Sequence, residues 1–367
     1  MISDQYSGLT PVAAARIFSP EKTGYCQSNQ CNEENHTMNI HNGEQLLEMM
    51  RSFHIPCILA AAADLDLFET MASAPKTAAD VAAISNCDLR GVTILLDALT
   101  AIGLIIKKDD HYSLSPELEP YLREGSPQNV MAMIRHQANC LRRWSWLPWT
   151  IKTGKLGDPG PSILGEDADN ASFIEAMNVV SRGVADRLIR EINPGNVRCI
   201  LDLGGASGTW AMAWLKAEPE VRAIIFDLPQ VISMTRERFS SSPFANRVEL
   251  RAGDFYTDEL PRGADLAWVS AIIHQNSPKQ NLALYRRVAA ALKPNGWIYI
   301  RDIVMEPSRT APVVGALFAV NMLAGTEGGN CYTLSEIEQD LLETGFHEVE
   351  LVHRDEGMHS VVRARVK

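Results

Sequence analysis

Apolar residues recur at helical spacing through the first third of the chain. Between residues 44 and 68 they stand three and four positions apart, and small apolar residues fill the end of this stretch. Thr77 and Asp88 each precede a further apolar stretch, where their side chains can cap a helix. Two strand-like runs then flank Asp109 and Asp110, a pattern that predicts a hairpin. Helix, helix and hairpin in this order are typical of a winged helix.

After Val197 the pattern changes to short apolar runs that alternate with helical stretches. Runs that are apolar at every position are typical of strands buried on both faces of a parallel sheet. The seven predicted strands are Cys199–Leu203, Ala223–Asp227, Val248–Ala252, Leu266–Ser270, Trp297–Asp302, His347–Val352 and His359–Val366. This alternation predicts an α/β fold with a Rossmann-like, doubly wound sheet and a closing hairpin.

These patterns divide the chain into three parts. Residues 1–38 are predicted to be a mobile N-terminal extension, residues 39–165 a winged-helix domain with a helical connector, and residues 166–367 the α/β domain. A winged helix serves either DNA binding or dimerisation. Its second helix carries Arg90 as the only basic residue, beside Asp88 and Asp97, so it suits dimerisation better than contact with phosphates.

Composition narrows the classes of function. The net charge of -11 disfavours nucleic acid and anionic membrane as partners, and no apolar run is expected to reach the length of a membrane span. The 7 cysteines lack paired or zinc-type spacing, which indicates reduced thiols and a cytoplasmic protein. Cys26 and Cys31 are the closest pair, but no second pair stands nearby, so we expect no metal site there.

Glycines follow the first predicted strand of the α/β domain. In Asp202-Leu-Gly-Gly-Ala-Ser-Gly208 the backbone can turn sharply and approach a ligand, because glycine has no Cβ in the way. Asp227 ends the next strand, about twenty residues beyond the glycines, where an acid holds ribose hydroxyls in nucleotide-binding folds. Strand, loop, helix and distal acid together predict a nucleotide site. Its predicted contacts are Asp202, Gly204, Gly205, Gly208, Asp227 and Leu228.

Other strands also end in residues that can carry chemistry, at the edge of the sheet where ligands bind. Asp254 and Phe255 follow the third strand, where an acid can accept the adenine amino group and a ring can cover the base. His274 follows the fourth strand and Asp302 ends the fifth. A histidine at this edge is a candidate catalytic group. For each of these residues, a structural role in a turn is the alternative.

The α/β part resembles the class I S-adenosylmethionine methyltransferases. From about Glu44 to its end, the chain resembles more narrowly the small-molecule O-methyltransferases with an N-terminal winged-helix dimerisation domain. That group contains plant caffeate-type, acetylserotonin-type, and bacterial polyketide and carotenoid enzymes. The motifs that carry the resemblance are Leu201-Asp-Leu-Gly-Gly-Ala-Ser-Gly208, Phe226-Asp-Leu-Pro229, Gly253-Asp-Phe255, Ile273-His274, Leu292-Lys-Pro-Asn-Gly296, Thr333-Leu-Ser-Glu-Ile-Glu and Thr344-Gly-Phe346.

The resemblance implies an enzyme that methylates a hydroxyl of an apolar or aromatic small molecule, with S-adenosylmethionine as cofactor and without a metal. It implies that His274 removes the proton of the acceptor and that Asp302 orients the imidazole. It also implies a homodimer. The residues predicted to line the acceptor pocket are Trp144, Trp146, Met177, Phe318, Met322, Thr326 and Cys331. Ordinary core packing is the alternative for the tryptophans.

Three sites depart from the pattern of the resembled family. Gln275 and Asn276 stand where many relatives have Asp-Trp, and Ser270, a predicted cofactor contact, stands where a lysine is frequent. Cys331 stands where relatives place a second glutamate that orients the histidine. These departures keep open a second class of enzyme with the same fold, which retains the cofactor and catalyses pericyclic or hydroxylation chemistry. A winged-helix regulator is the third alternative.

Overall fold

The N-terminal half is built mainly from helices. The computed structural model describes residues 40–193 and 195–367, so the extension predicted over residues 1–38, with Cys26 and Cys31, lies outside the described residues. The helices of this half are Gly43–Arg51, His54–Asp64, Leu67–Thr70, Ala78–Ile84, Leu89–Ala101, Glu119–Leu122, Met131–Trp144, Leu147–Thr153, Glu166–Arg182 and Ala185–Ile192. The strands of this half are β1 (Lys76–Thr77), β2 (Ile105–Lys108) and β3 (His111–Leu114).

Side-chain caps fix the two helices that precede the hairpin. Thr77 forms a capping box with Asp80, and Asp88 accepts a hydrogen bond from the backbone N–H of Gly91 at 2.8 Å. Asp109 lies in the left-handed region with φ 53° and turns the chain between β2 and β3. Strand β1 pairs with β3, so the small sheet has the order β1-β3-β2. The predicted sequence of helix, helix and hairpin is confirmed.

The first helical segment corrects one expectation. Gly43–Asp64 spans 22 residues, and its most apolar 18 residues have a mean hydropathy of 1.3 with 11% of them buried, so by length and composition alone the segment could cross a membrane. The prediction that no apolar run reaches this length is therefore wrong. Arg51, Ser52 and His54 interrupt the pattern in the sequence, but a turn joins the two helices into one segment. Its exposed large apolar side chains are Leu46, Leu47, Met49, Met50 and Phe53.

The second half contains a seven-stranded sheet with the order β11-β12-β8-β7-β4-β5-β6. Its strands, together with the short pair β9 and β10, are β4 (Cys199–Leu203), β5 (Arg222–Asp227), β6 (Val248–Ala252), β7 (Ala264–Ser270), β8 (Leu292–Asp302), β9 (Val304–Met305), β10 (Tyr332–Thr333), β11 (Phe346–His353) and β12 (Ser360–Val366). The helices of this half are Thr209–Ala217, Pro229–Ser240, Pro278–Ala291, Val313–Gly325 and Leu334–Glu343, with short 3-10 turns at Ala245–Arg247 and Ile273–Gln275.

The strand order creates a crevice at one edge of this sheet. Strands β8, β7, β4, β5 and β6 are parallel, whereas β12 is antiparallel to β8 and pairs with β11 in the closing antiparallel hairpin. The chain runs outward from β4 through β5 to β6 and then returns to the other side of β4 with β7. Ligands bind beyond the carboxyl ends of strands at such a reversal. The predicted doubly wound sheet is confirmed, and its reversal lies between β4 and β7.

Apolar clusters cover both faces of the sheet. Leu201 and Leu203 of β4 pack in one cluster, and Ile200 of the same strand packs in the other with Trp214 and Trp268. This alternation explains why β4 is apolar at nearly every position, because both of its faces are buried. Helix Met131–Trp144 packs against helix Glu166–Arg182. The domain boundary predicted between residues 165 and 166 stays a prediction.

Candidate active site

Three glycines shape the loop after β4. Gly204 and Gly208 have φ angles of +62° and +72°, a region that side chains other than that of glycine rarely adopt. A Cβ at Gly204 would lie 2.9 Å from Ile272 Cδ1, and a Cβ at Gly208 would overlap the ring of Phe239. A Cβ at Gly205 would lie 2.8 Å from Ile225 Cγ2 and 3.0 Å from the carboxyl of Asp202. Backbone conformation and close packing therefore both require glycine in this loop.

Asp227 at the end of β5 holds the glycine loop. One carboxylate oxygen accepts a hydrogen bond from the N–H of Ala206 at 2.8 Å, and the other accepts one from the N–H of Leu228 at 2.7 Å. Burial raises the pKa of Asp227, while these two backbone donors oppose the shift. The buried carboxylate lies directly beside the loop, which is the arrangement expected for an acid that binds ribose hydroxyls.

Asp202 is the most deeply buried acid of the loop. Its Oδ2 accepts from the N–H of Ala211 at 3.1 Å, and its Oδ1 is buried without a hydrogen-bond partner among the described residues. Burial raises the pKa of Asp202 to about 7. A buried carboxylate oxygen without a partner is costly, so it is a position where a donor group of a ligand would be stabilising.

The loop after β6 holds the two residues predicted to contact adenine. The carboxylate of Asp254 accepts a hydrogen bond from the N–H of Tyr256 at 2.8 Å, so part of its role is to form the turn. The ring of Phe255 lies 3.4 Å from where a Cβ of Gly204 would stand. The structure thus brings the aromatic ring to the glycine loop.

His274 and Asp302 form the buried pair at the centre of the site. His274 lies in the short turn after β7, and its Nδ1 is 2.8 and 2.9 Å from the two carboxylate oxygens of Asp302 at the end of β8. The backbone N–H of Ile303 also donates to Asp302 Oδ1 at 2.8 Å. This arrangement orients the imidazole and leaves its Nε2 as the ring nitrogen that is not engaged by the carboxylate.

Ser270 is held by an arginine that the sequence analysis did not single out. Arg301, only 2% exposed, donates from Nη1 to Ser270 Oγ at 2.6 Å and from Nε to the carbonyl of Met358 at 3.0 Å. Its guanidinium lies 4.7 Å from the ring centre of Trp210. Burial lowers the pKa of Arg301 to about 10, so the group remains charged at neutral pH. The feature of the sequence that could have identified Arg301 is a basic residue within the largely apolar run Trp297–Asp302.

Helix Val313–Gly325 carries or binds several predicted acceptor contacts, and one of them meets His274. The ring of Phe318 meets the imidazole edge to face at a centroid distance of 4.9 Å. Trp144 donates from its indole N–H to Asn321 on the same helix at 2.8 Å. Met322 is buried, and the hydroxyl of Thr326 donates to the carbonyl of Met322 at 2.7 Å.

The other predicted acceptor contacts are less closely connected. Trp146 is 38% exposed and packs against the segment at Gly157, and Met177 is half-buried on helix Glu166–Arg182. Cys331 packs with Ile303 in a small apolar cluster that Phe318 also contacts. Burial raises the pKa of Cys331 to about 12, so its thiol stays neutral and cannot replace a carboxylate. The role of these three residues at an acceptor stays a prediction.

Two family models match this chain. One, described as an O-methyltransferase domain, matches residues 162–347, and the other, an O-methyltransferase dimerisation domain, matches residues 47–118. The chain belongs to the O-methyltransferase family. The predicted enzyme class is confirmed, and so is the predicted cofactor, because the family uses S-adenosylmethionine. The dimerisation match includes most of the exposed helical segment Gly43–Asp64 and supports the predicted homodimer.

Curated relatives with known activities are similar over most of the chain. The tetracenomycin polyketide synthesis 8-O-methyl transferase of Streptomyces glaucescens is 31% identical over 83% of this chain and 91% of that protein. The 3-hydroxy-5-methyl-1-naphthoate 3-O-methyltransferase of Streptomyces sahachiroi is 30% identical over 80% of this chain and 86% of that protein. The acetylserotonin O-methyltransferase of Rattus norvegicus is 28% identical over 77% of this chain and 68% of that protein.

Solved structures share the fold. Human N-acetylserotonin methyltransferase in complex with S-adenosylmethionine has a TM-score of 0.74 and 22% identity, with 90% of this chain and 99% of that chain covered. PigF with S-adenosylhomocysteine has a TM-score of 0.78 and 24% identity, with 89% of this chain and 100% of that chain covered. These structures support the predicted α/β fold with an N-terminal helical domain.

Proposed function

We propose that this chain methylates a hydroxyl group of an apolar, aromatic small molecule and that His274 is the general base. The observation that carries the proposal is the buried pair of His274 and Asp302, whose closest atoms are 2.8 Å apart, at the carboxyl ends of β7 and β8. A carboxylate at Nδ1 favours the tautomer with a proton on Nδ1 and a free lone pair on Nε2. That lone pair can accept the proton of a hydroxyl.

Apart from the base, methyl transfer requires few catalytic groups from the protein. When bound, S-adenosylmethionine supplies a methyl group on a sulfonium, which needs no further activation. His274 Nε2 would take the proton of the acceptor hydroxyl as that oxygen receives the methyl group, and S-adenosylhomocysteine would be the leaving group. Asp302 stabilises the resulting imidazolium by its charge. The remaining task of the chain is to hold the acceptor in line with the methyl group.

The loop after β4 fits the proposed cofactor. The glycines let the backbone turn sharply where no Cβ could be accommodated, and the unpartnered Asp202 Oδ1 can accept from the amino group of the methionine portion. We assign the ribose hydroxyls to Asp227 beside Leu228, and the adenine to Asp254 and Phe255. Ser270, fixed by Arg301, lies at the end of β7 next to the methionine portion in this assignment.

The proposed acceptor class rests on the apolar wall and on the relatives. Phe318 contacts His274, and Met322 on the same helix and Trp144 bonded to that helix add apolar and aromatic surface, which suits a flat, apolar substrate. The relatives named above act on a polyketide, a hydroxynaphthoate and acetylserotonin. We therefore propose a phenolic or naphtholic hydroxyl as the acceptor.

The acceptor class is tested with a panel of phenols and naphthols and a donor that carries a labelled methyl group. Each compound is paired with its own methyl ether, in which the hydroxyl is blocked. We expect label in the products of free hydroxyl compounds and none with the blocked partners. Transfer to amines or to ring carbons of the blocked compounds would contradict the proposal and leave the family assignment intact.

A further inference from the structure

The turn that carries His274 is fixed by two buried asparagines. Asn276 is fully buried, and its side-chain amide donates to Asn281 Oδ1 at 2.9 Å. Asn281 in turn donates to the carbonyl of Ile273 at 3.1 Å, one residue before the histidine. From the opposite side, the N–H of Asn330 donates to the carbonyl of His274 at 2.8 Å. The position of the imidazole therefore depends on a polar network as well as on Asp302.

Tyr256 connects this network to the loop after β6. Its hydroxyl donates to Asn276 Oδ1, and its ring centre lies 4.5 Å from that of Phe255. Gln275 donates to the same hydroxyl at 3.4 Å. Burial raises the pKa of Tyr256, so the hydroxyl keeps its proton and remains a donor at neutral pH. Tyr256 thus contacts the aromatic residue assigned to adenine and a buried side chain of the histidine turn.

Asn276 is a fully buried amide, and a buried amide must be hydrogen-bonded. Tyr256 and Asn281 supply the partners of its side-chain oxygen and nitrogen. The histidine turn is therefore held by directional contacts to the loop after β6 and to helix Pro278–Ala291.

We propose that Tyr256 is a positioning residue that transmits cofactor binding to His274. Adenine against Phe255 restrains the adjoining ring of Tyr256, and the hydroxyl of Tyr256 then fixes Asn276 and the histidine turn. This inference rests on the proposed role of His274, but the link between Tyr256 and the histidine is measurable without methyl transfer.

The first test compares Tyr256→Phe with Tyr121→Phe. The two tyrosines are 41% and 42% exposed, and Tyr121 lies in the N-terminal domain, outside the proposed site. We expect Tyr256→Phe to lower kcat about tenfold, the effect of one lost hydrogen bond on a positioned group, with the Kd for S-adenosylhomocysteine changed less than about twofold. Tyr121→Phe should change neither quantity. An unchanged kcat would contradict the proposal, whether or not the Kd for S-adenosylhomocysteine changes.

The second test follows the imidazole of His274 by NMR in protein with labelled histidine. The signal is assigned from the spectrum of His274→Gln, and S-adenosylhomocysteine is added without any acceptor. We expect the cofactor product to shift the wild-type signal and the Tyr121→Phe signal equally, and the Tyr256→Phe signal by less than half as much. Equal shifts in all three proteins would overturn the proposal. Because no turnover is needed, this result is independent of whether His274 proves to be a base.

Discussion

The cofactor side and the acceptor side of this site are built in different ways. On the cofactor side, Gly204, Gly208 and Asp227 lie on one strand-loop-helix-strand unit, and Asp227 bonds directly to the loop that the glycines shape. On the acceptor side, Phe318 contacts His274 from helix Val313–Gly325, and Trp144 bonds to that helix from a distant part of the sequence. The cofactor side is therefore local, whereas the acceptor side depends on how distant helices pack.

This difference has a consequence for function. A local loop keeps its geometry as long as its own strands are in place, which suits a cofactor that is the same throughout a family. On the helices that line the acceptor side, single side chains can be substituted without disturbing the sheet. Apart from the proposed link through Tyr256, the two sides should therefore respond separately to substitution, and loss of His274 should affect mainly turnover.

The largest effect is expected for His274→Ala. Loss of the base should reduce methyl transfer by about 10² to 10⁴ in kcat, because general-base catalysis contributes that much. Calorimetry with S-adenosylhomocysteine should give the same affinity for both proteins. A fully active variant would refute the base assignment, and a variant that no longer binds the cofactor product would contradict the separation of the two sides.

Gly208→Ala tests the cofactor side alone. A Cβ there would overlap Phe239 in a backbone conformation that already disfavours alanine, so we expect a loss of about 3 kcal/mol in stability and weaker binding of S-adenosylhomocysteine. Gly103→Ala is the matched control, since Gly103 has φ +80° but no atom within 4 Å of the added Cβ. The control should lose only about 1 kcal/mol and bind normally. Equal losses of stability in Gly208→Ala and Gly103→Ala, measured by denaturant unfolding, would show that packing against Phe239 is irrelevant.

Asp202→Asn tests the buried acid through pH. The folded-state pKa of Asp202 is about 7, above its ordinary value of 3.8, so the native protein binds an extra proton between these values. Raising the pH through this window should therefore destabilise the wild type relative to Asp202→Asn, by about 1 to 3 kcal/mol near pH 8. Unfolding curves without cofactor from pH 4 to 8 measure this difference, with Asp110→Asn in an exposed turn as control. A wild type that gains stability over the variant as pH rises would mean that the carboxylate is paired and ionised.

Trp144→Phe should have the smallest effect and should be confined to the acceptor side. It removes the hydrogen bond from the indole N–H to Asn321, worth about 0.5 to 1.5 kcal/mol, and so should raise the KM for the acceptor severalfold. Trp149→Phe is the control, because Trp149 is 62% exposed. Affinity for S-adenosylhomocysteine should be unchanged in both. A change in that affinity in Trp144→Phe alone would show that the two sides are coupled.

The same difference explains which features the sequence could predict. The caps at Thr77 and Asp88, the strands of the sheet and the glycine loop depend on neighbouring residues, and the structure confirms them. The pair of His274 and Asp302 could be expected because parallel strands end at the same edge.

Contacts between distant segments could not be predicted in this way. Nothing near Arg301 in the sequence indicates that it holds Ser270, and nothing near Tyr256 indicates that it binds Asn276. Trp144 and Trp146 look equivalent in sequence, yet one bonds to helix Val313–Gly325 and the other packs on the segment at Gly157. Which way each side chain faces is decided by tertiary packing.

Methyl transfer to an acceptor oxygen separates the proposed activity from chemistry in which the cofactor is retained. The most direct measurement is a single-turnover reaction with enzyme in excess over a hydroxyl acceptor, in which labelled product and S-adenosylhomocysteine are both quantified. We predict equal amounts of the two, with the label on the former hydroxyl oxygen. Consumption of the acceptor without formation of S-adenosylhomocysteine would contradict the account, because the cofactor would then be retained while other chemistry takes place.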